Sequence, residues 1–293
     1  MILFSVLKFI YNHPLNKKNK LKALVRFFKW QLNCRLNPYP VIFPFTARAK
    51  LIIGKGMTGA TGNLYCGLHD FEDMSFLLHF LRKEDLFIDI GANIGSYTVL
   101  AAAHIGATTF SFEPVPSTYA YLLNNIAVNK VESRVQALKI ALSSEKGSIS
   151  FTSSLDTVNH MALKKEKDQI QVDTEKLDDV LAGQIIPSLI KIDVEGFESE
   201  VLKGASHILE NTGLKAIIIE LNGSGERYGF EDEKIHQSLR DLGFNAYVYK
   251  PFDRVLISVE KLGSLNTIYI RDLGFVERRL KSAQEIDILN NRY

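Results

Sequence analysis

No aspartate or glutamate occurs in the first fifty residues, although ten lysines and arginines do. The rest of the chain carries 25 basic and 33 acidic residues, so the net charge of +2 conceals a cationic arm on an acidic body. Such an arm can meet phosphates, an anionic membrane surface or the body itself. Cysteine is scarce too. Cys34 and Cys66 lie far apart, which excludes a disulfide scaffold, gives no metal-ligand spacing and fits a reducing compartment. Also missing is any run of the roughly 20 apolar residues that a bilayer span requires. Met1 to Tyr11 is apolar apart from Ser5 and Lys8 but too short, and its flanking charge, Lys17-Lys18-Asn19-Lys20, follows rather than precedes it. No cleaved signal and no transmembrane helix are expected. The expected location is cytoplasmic, with peripheral contact on the inner face of a membrane open to the arm. Repeats and low-complexity tracts are absent. A composition of 46% hydrophobic and 23% charged residues is ordinary for a globular chain of 293.

Residues 20–33 carry Leu21, Leu24, Val25, Phe28 and Leu32 at helical spacing, with Lys22, Arg26 and Lys29 elsewhere. This predicts an amphipathic helix that lies on a membrane, binds a partner or packs on the body. Pro38, Pro40 and Pro44 then interrupt the chain. From residue 85 strands and helices alternate. Strands are expected over Leu86–Ile90, Thr108–Glu113, Arg134–Leu142, Gly147–Ser153, Leu189–Val194, Lys215–Leu221, Phe244–Tyr249 and Thr267–Ile270. Helices are expected over Ser96–His104, Ser117–Asn129, Phe197–Leu209 and Glu231–Leu242. Residues 154–170 read as an exposed polar loop. This alternation predicts an α/β fold with a mostly parallel sheet and helices on both faces. Three parts follow: a basic helical arm over 1–50, a catalytic domain over 51–275 and a tail over 276–293.

Ligands of such sheets bind at the carboxyl ends of the strands. The first strand ends in Asp89-Ile90-Gly91-Ala92-Asn93-Ile94-Gly95. A dinucleotide fingerprint would place glycines where Asn93 and Ser96 stand, so a pyrophosphate cradle fits poorly and a nicotinamide oxidoreductase is disfavoured. An acid before a G-x-x-x-G turn suits an adenosine ligand with a positively charged tail, whose amino group or water Asp89 could hold. Glu113 ends the second strand, 22 residues after Gly91, where a carboxylate can accept hydrogen bonds from both ribose hydroxyls.

A second polar group closes the strand Leu189–Val194. Alternation points Lys191 and Asp193 to one face, with Glu195 beside them and Glu220 ending the next strand. Lys191 can hold a carboxylate ionised, and the carboxylates can serve as a general base. Alternatively they form a structural ion pair, or hold a divalent metal, which the spacing does not require. His160, in the loop Asp156-Thr157-Val158-Asn159-His160, is the other candidate base; a lone loop histidine is otherwise simply solvated. Asp70, Glu220, Asn222 and Tyr228 are candidates for the acceptor side, the last two within a glycine-containing loop that suits a sugar or merely connects elements.

Four segments together resemble the motifs of the FkbM-type methyltransferase family: Asp89–Gly95, Phe112-Glu113-Pro114, Lys191-Ile192-Asp193-Val194-Glu195-Gly196 and Ile218-Ile219-Glu220. The resemblance covers roughly residues 65 to 250. It implies a Rossmann-like class I methyltransferase fold with a seven-stranded sheet, S-adenosylmethionine as methyl donor, and usually a hydroxyl acceptor. It places Asp89, Gly91, Asn93, Gly95 and Glu113 at the cofactor, and leads to an O-methyltransferase acting on a sugar of a glycan or polysaccharide. Methylation of nucleic acid by way of the basic arm, of another small molecule, or a non-catalytic adenosine-binding module are the alternatives. Asn37-Pro38-Tyr39-Pro40 lacks the second proline of a base-methylating motif and lies outside the cofactor core, so no nucleic-acid partner is expected.

Overall fold

The computed structural model describes residues 2–152, 159–162, 168–260 and 266–293. Two helices, α1 (Ile2–Asn12) and α2 (Lys20–Leu36), open the chain. Strands β1 (Val41–Pro44) and β2 (Lys50–Ile53) form a separate antiparallel pair. Helices α3 (Thr58–Cys66) and α4 (Phe71–Phe80) lead into β3 (Leu86–Ile90). There follow α5 (Ser96–Val99), continued by a wider helical turn over Leu100–Ile105, then β4 (Thr108–Phe112), α6 (Pro116–Asn129) and β5 (Val135–Leu138). Pro116 is the first residue of α6, where its missing N–H has no intrahelical partner to lose.

Strands β6 (Ala141–Leu142), β7 (Gly147–Thr152) and β8 (Gln169–Glu175) make a small three-stranded sheet. The stretch expected to form one strand over 134–142 is therefore divided between two sheets. Its apolar residues fit either partner, and periodicity alone does not choose. Helix α7 (Leu177–Val180), β9 (Leu189–Ile192), α8 (Glu198–Lys203), α9 (Ser206–Glu210) and β10 (Ala216–Glu220) come next. The helix expected over 197–209 is interrupted because the Gly204 carbonyl accepts from Asp178 N at 3.0 Å. The Asp178 carboxylate in turn caps α9 through His207 N at 2.9 Å and Ile208 N at 3.1 Å. The chain ends with α10 (Asp232–Asp241), β11 (Asn245–Lys250), β12 (Val255–Ser258), β13 (Asn266–Ile270), α11 (Leu273–Lys281) and the short pair β14 (Asp287–Ile288) and β15 (Asn291–Arg292).

The main sheet runs β12-β11-β13-β10-β9-β3-β4-β5. Strands β10, β9, β3, β4 and β5 are mutually parallel; β13, β11 and β12 extend the sheet by antiparallel pairing. It has eight strands rather than seven, β12 being added at the edge. The inner parallel strands β3, β9 and β10 are buried on both faces, as mostly apolar runs such as Ala216–Ile219 require. Phe87, Leu189, Ala216 and Ile218 meet α4, α5 and α11 on one face. Ile88, Ile90, Ile190, Ile192, Ile217 and Ile219 meet α8, α9 and α10 on the other.

The arm contributes Ile10, Ala23, Phe27 and Trp30 to the same apolar cluster as α3 and α4. The stripe read from the sequence faces outward: Leu21, Val25, Phe28 and Leu32 are exposed, and only Leu24 of that set is partly buried. The helix carries two apolar stripes, and the one bearing Phe27 and Trp30 is the one buried.

At the amino end of β3 the buried Asp85 carboxylate joins three elements. It accepts from Arg82 N at 2.7 Å and Ser188 Oγ at 2.7 Å, and pairs with Arg279 of α11. Asp85→Ala leaves these donors unpaired and is expected to cost about 3 kcal/mol. Urea unfolding measures this; a midpoint matching the wild type would show that the junction adds nothing.

Candidate functional site

Strand order reverses between β3 and β9, since β3 is followed by β4 on one side while β9 lies on the other. A cavity of about 280 Å³ opens there, against the carboxyl ends of β3, β4, β9 and β10. Such a switch point is where open α/β sheets hold ligands. Beneath it runs a buried polar row. Ser111, Asp89 and Lys191 are register neighbours on adjacent strands, and alternation puts them on one face, under α5. Thr98 of α5 donates to Asp89 Oδ2 at 2.6 Å and lies 2.7 Å from Ser111 Oγ.

Asp89 therefore differs from its expected role. It is fully buried, lies off the cavity wall, and supports the turn from below. Burial pushes its carboxyl pKa up, opposed by Lys191 and by the Thr98 hydrogen bonds. The two glycines also have structural duties. A Cβ on Gly91 (φ +73°) would lie 1.8 Å from the Asp193 carbonyl oxygen, so β9's end packs directly on the turn. A Cβ on Gly95 (φ +91°) would meet Leu122 of α6 at 2.5 Å. Gly91 and Asn93 line the cavity; Gly95 does not.

Glu113 lies where the sequence placed it. Oε2 accepts from Asn93 N and Oε1 from Val115 N, both at 2.9 Å. Each oxygen retains acceptor capacity, and the residue lines the cavity. Burial raises its pKa to about 7, against the lowering effect of these two N–H groups.

Opposite stands the acidic strand end. Lys191 is buried, donating to Asp193 Oδ2 at 2.9 Å and to the Gly91 carbonyl at 3.1 Å. Burial opposes its charge, but Asp193, Asp89 and Asp70 outweigh it and hold the ammonium above its ordinary range. Asp193, Glu195 and Glu220 bring one carboxylate oxygen each within 4.8 Å of the others, a spacing that a shared proton or a divalent cation could bridge. Burial and the Asp193 charge raise Glu195 to about 7; burial, Asp193 and Glu195 raise Glu220 to about 8. Glu198, which the sequence reading passed over, holds this loop: its Oε1 accepts from Val194 N at 3.2 Å and Gly196 N at 3.1 Å.

The remaining candidates separate. Asp70 lines the cavity and accepts from the Tyr97 hydroxyl at 3.2 Å. Tyr97 was also passed over; only its place two residues beyond Gly95 could have signalled it. His160 is buried rather than solvated: its carbonyl accepts from Thr152 N at 2.9 Å and its N–H donates to Thr152 Oγ1 at 2.8 Å. Its neighbour Asn159, rather than His160, lines the cavity. Positions 156–158 of that loop, and most of the charge run at 164–168, lie outside the described residues. Asn222 is exposed and closes a local turn on Ser224 N at 2.9 Å. Tyr228 donates to the Met161 carbonyl at 2.7 Å and meets the Phe197 ring at 6.0 Å, so it braces a cavity residue from behind.

Comparison with known proteins adds to this geometry. A family model described as "Methyltransferase FkbM domain" matches residues 89–246, more than half of the chain. Hexuronic acid methyltransferase AglP of Haloferax volcanii is 31% identical over 148 residues, covering 50% of this chain and 59% of AglP. The 31-O-demethyl-FK506 methyltransferase FkbM of Streptomyces tacrolimicus is 30% identical over 171 residues, covering 46% of this chain and 65% of that protein. The chain thus spans under two thirds of the length of both. The crystal structure of methyltransferase FkbM from Methylobacillus flagellatus KT aligns with a TM-score of 0.47 at 16% identity, covering 72% of this chain and 52% of that one.

The raised carboxylates predict a pH dependence of stability. Glu195 and Glu220 ordinarily titrate near 4.5 but here near 7 and 8, so the folded state binds protons more tightly than the unfolded one. Their contribution is most favourable below about pH 4.5 and is lost as pH rises through about 8. Between those limits the melting temperature of the ligand-free protein should fall with pH, and Glu220→Gln should flatten the fall. Scanning fluorimetry across buffers measures it; an unchanged slope in Glu220→Gln would remove that residue from the account.

Proposed function

The chain belongs to the FkbM methyltransferase family, and from this we propose that it is an S-adenosylmethionine-dependent O-methyltransferase whose acceptor is a sugar hydroxyl. The observation that carries the reading is the Asp193–Glu195–Glu220 cluster standing across one cavity from Glu113. When bound, S-adenosylmethionine supplies an electrophilic methyl carbon on a sulfonium centre. The residues present suit it. The remaining acceptor sites of Glu113 match a ribose diol, and five lining carboxylates (Asp70, Glu113, Asp193, Glu195 and Glu220) complement a cationic ligand.

An alcohol must lose its proton as it is alkylated, and a base within hydrogen-bond reach is required. Glu220 and Asp193 share a hydrogen bond, and the surrounding negative charge keeps a proton on the cluster near neutral pH. Once ionised, Glu220 or Glu195 is basic enough to accept the acceptor's proton. Lys191 acts as a positioning residue, fixing Asp193 against the donor turn. A sugar is favoured over an apolar acceptor by the density of hydrogen-bonding groups on the wall, with Asn63, Asn159 and Asn266 beside the acids. AglP, by its name, acts on a hexuronic acid.

Two measurements test the two halves of the site. Glu113→Ala should weaken S-adenosylmethionine binding by about a hundredfold or more by calorimetry, the scale of losing two hydrogen bonds to a charged group. Glu220→Gln should leave donor affinity within about threefold but lower kcat by about a hundredfold or more. The wild-type kcat/KM should rise with pH through about 7 to 8 as the base deprotonates. Loss of turnover after dialysis against EDTA, restored by magnesium, would replace the shared proton with a bridging metal on the same three carboxylates.

A further inference from the structure

Seventeen large hydrophobic side chains are exposed among the described residues, and eleven of them fall between Leu3 and Ile42. Five form one stripe on α2: Leu21, Val25, Phe28, Leu32 and Leu36, with exposures of 75, 43, 58, 58 and 76%. Their spacing of four, three, four and four residues keeps them on one side of the helix. That side is not the one the fold uses, since Ala23, Phe27 and Trp30 face the body. Over 17 residues the stripe runs about 25 Å along the surface. It continues past the helix end into exposed Tyr39, and α1, which packs on α2, leaves Phe4 at 74% exposure.

Charge is arranged around the stripe with one sign only. Lys22, Lys29 and Arg35 are exposed one position from Leu21, Phe28 and Leu36. The first acidic residue of the chain is Asp70. Arg26 is committed inward, donating to Asn16 Oδ1 at 2.6 Å and the Tyr65 carbonyl at 2.7 Å, so the flanking cations form a distinct outward set. No helix of the described residues is long and apolar enough to cross a membrane.

We propose that the outer face of α2, with the exposed end of α1, is a docking surface for a bilayer rich in anionic phospholipid, α2 lying in the plane of the interface. Large aliphatic and aromatic side chains enter the acyl boundary while neighbouring lysines and Arg35 reach back to headgroup phosphates. The match of cations to an anionic surface selects this occupant over the same face of a second copy, which would oppose like charges.

The test uses the full chain, because removing the arm would uncover Ile10, Phe27 and Trp30 partners in the core. Sedimentation with phosphatidylcholine vesicles containing one quarter phosphatidylglycerol should recover the protein. Pure phosphatidylcholine, or 0.5 M salt, should weaken binding at least tenfold. Phe28→Ser with Leu32→Ser should reduce binding at least tenfold while the melting temperature and S-adenosylmethionine affinity stay at wild-type values. Lys22→Glu with Lys29→Glu, which leaves the apolar stripe intact, should do the same on anionic vesicles. The proposal is overturned if wild type ignores anionic vesicles, or if the serine pair binds them as tightly as wild type. It is equally overturned if sedimentation velocity shows a dimer that the serine pair dissociates and vesicles do not recruit. Donor affinity is read separately, so failure here leaves the methyltransferase reading standing.

Discussion

Lys191 is the group on which the site depends. Its ammonium is buried in the middle of a parallel sheet, a position that is costly unless opposite charge and acceptors surround it. Here they do: Asp193 and the Gly91 carbonyl are bonded to it, and Asp89 is its register neighbour. One side chain thereby ties the end of β9 to the turn after β3. Burial, and after it the negative charge of neighbouring carboxylates, then raises Glu195 and Glu220 well above ordinary glutamates. A buried cation at the base and an excess of anions at the rim are two aspects of one arrangement.

The central sheet was legible from the sequence because its inner strands are covered on both faces and read as short, mostly apolar runs, broken in β3 only by Asp89 and in β9 only by Lys191. Leu86–Ile90 and Leu189–Ile192 need no tertiary information to be recognised. Glu113, Asp193, Glu195 and Glu220 were legible as acids at or just beyond the ends of such strands, and Lys191 as the charged residue inside one. What the sequence hid was direction and partnership. Asp89 reads like a ligand-facing acid, yet strand alternation turns it under α5, where Thr98 meets it. His160 reads like a solvated loop residue, yet it is buried, its backbone held by the Thr152 hydroxyl. The two apolar stripes of α2 have similar composition, and only packing against α3 shows which one faces inward. Tyr97 and Glu198 escaped because their roles are to hold other groups, and no spacing marks such a role.

The site also shows that a motif glycine can be required by packing, whether it lines the cavity, as Gly91 does, or not, as for Gly95. Gly91 is required by the Asp193 carbonyl and Gly95 by Leu122. The turn owes its shape to the two elements packed on it, and the ligand-facing surface results. The acid loop is built likewise: Glu198 fixes the amides of Val194 and Gly196, which leaves the Asp193 and Glu195 side chains to face the cavity.

The contact between Lys191 and Gly91 joins positions 100 residues apart. Everything between them, including β4, α6 and the three-stranded sheet, must be threaded before it closes. Closing so long a loop carries an entropic cost that local helices do not meet, and contacts of this kind slow folding. Synthesis order adds to it, because the turn after β3 leaves the ribosome well before β9 exists to pack on it. The nascent chain therefore holds an incomplete turn, with Asp89 lacking its cation, until the second half of the sheet arrives. Competence to bind ligand and completion of the central sheet should then arise in a single late event.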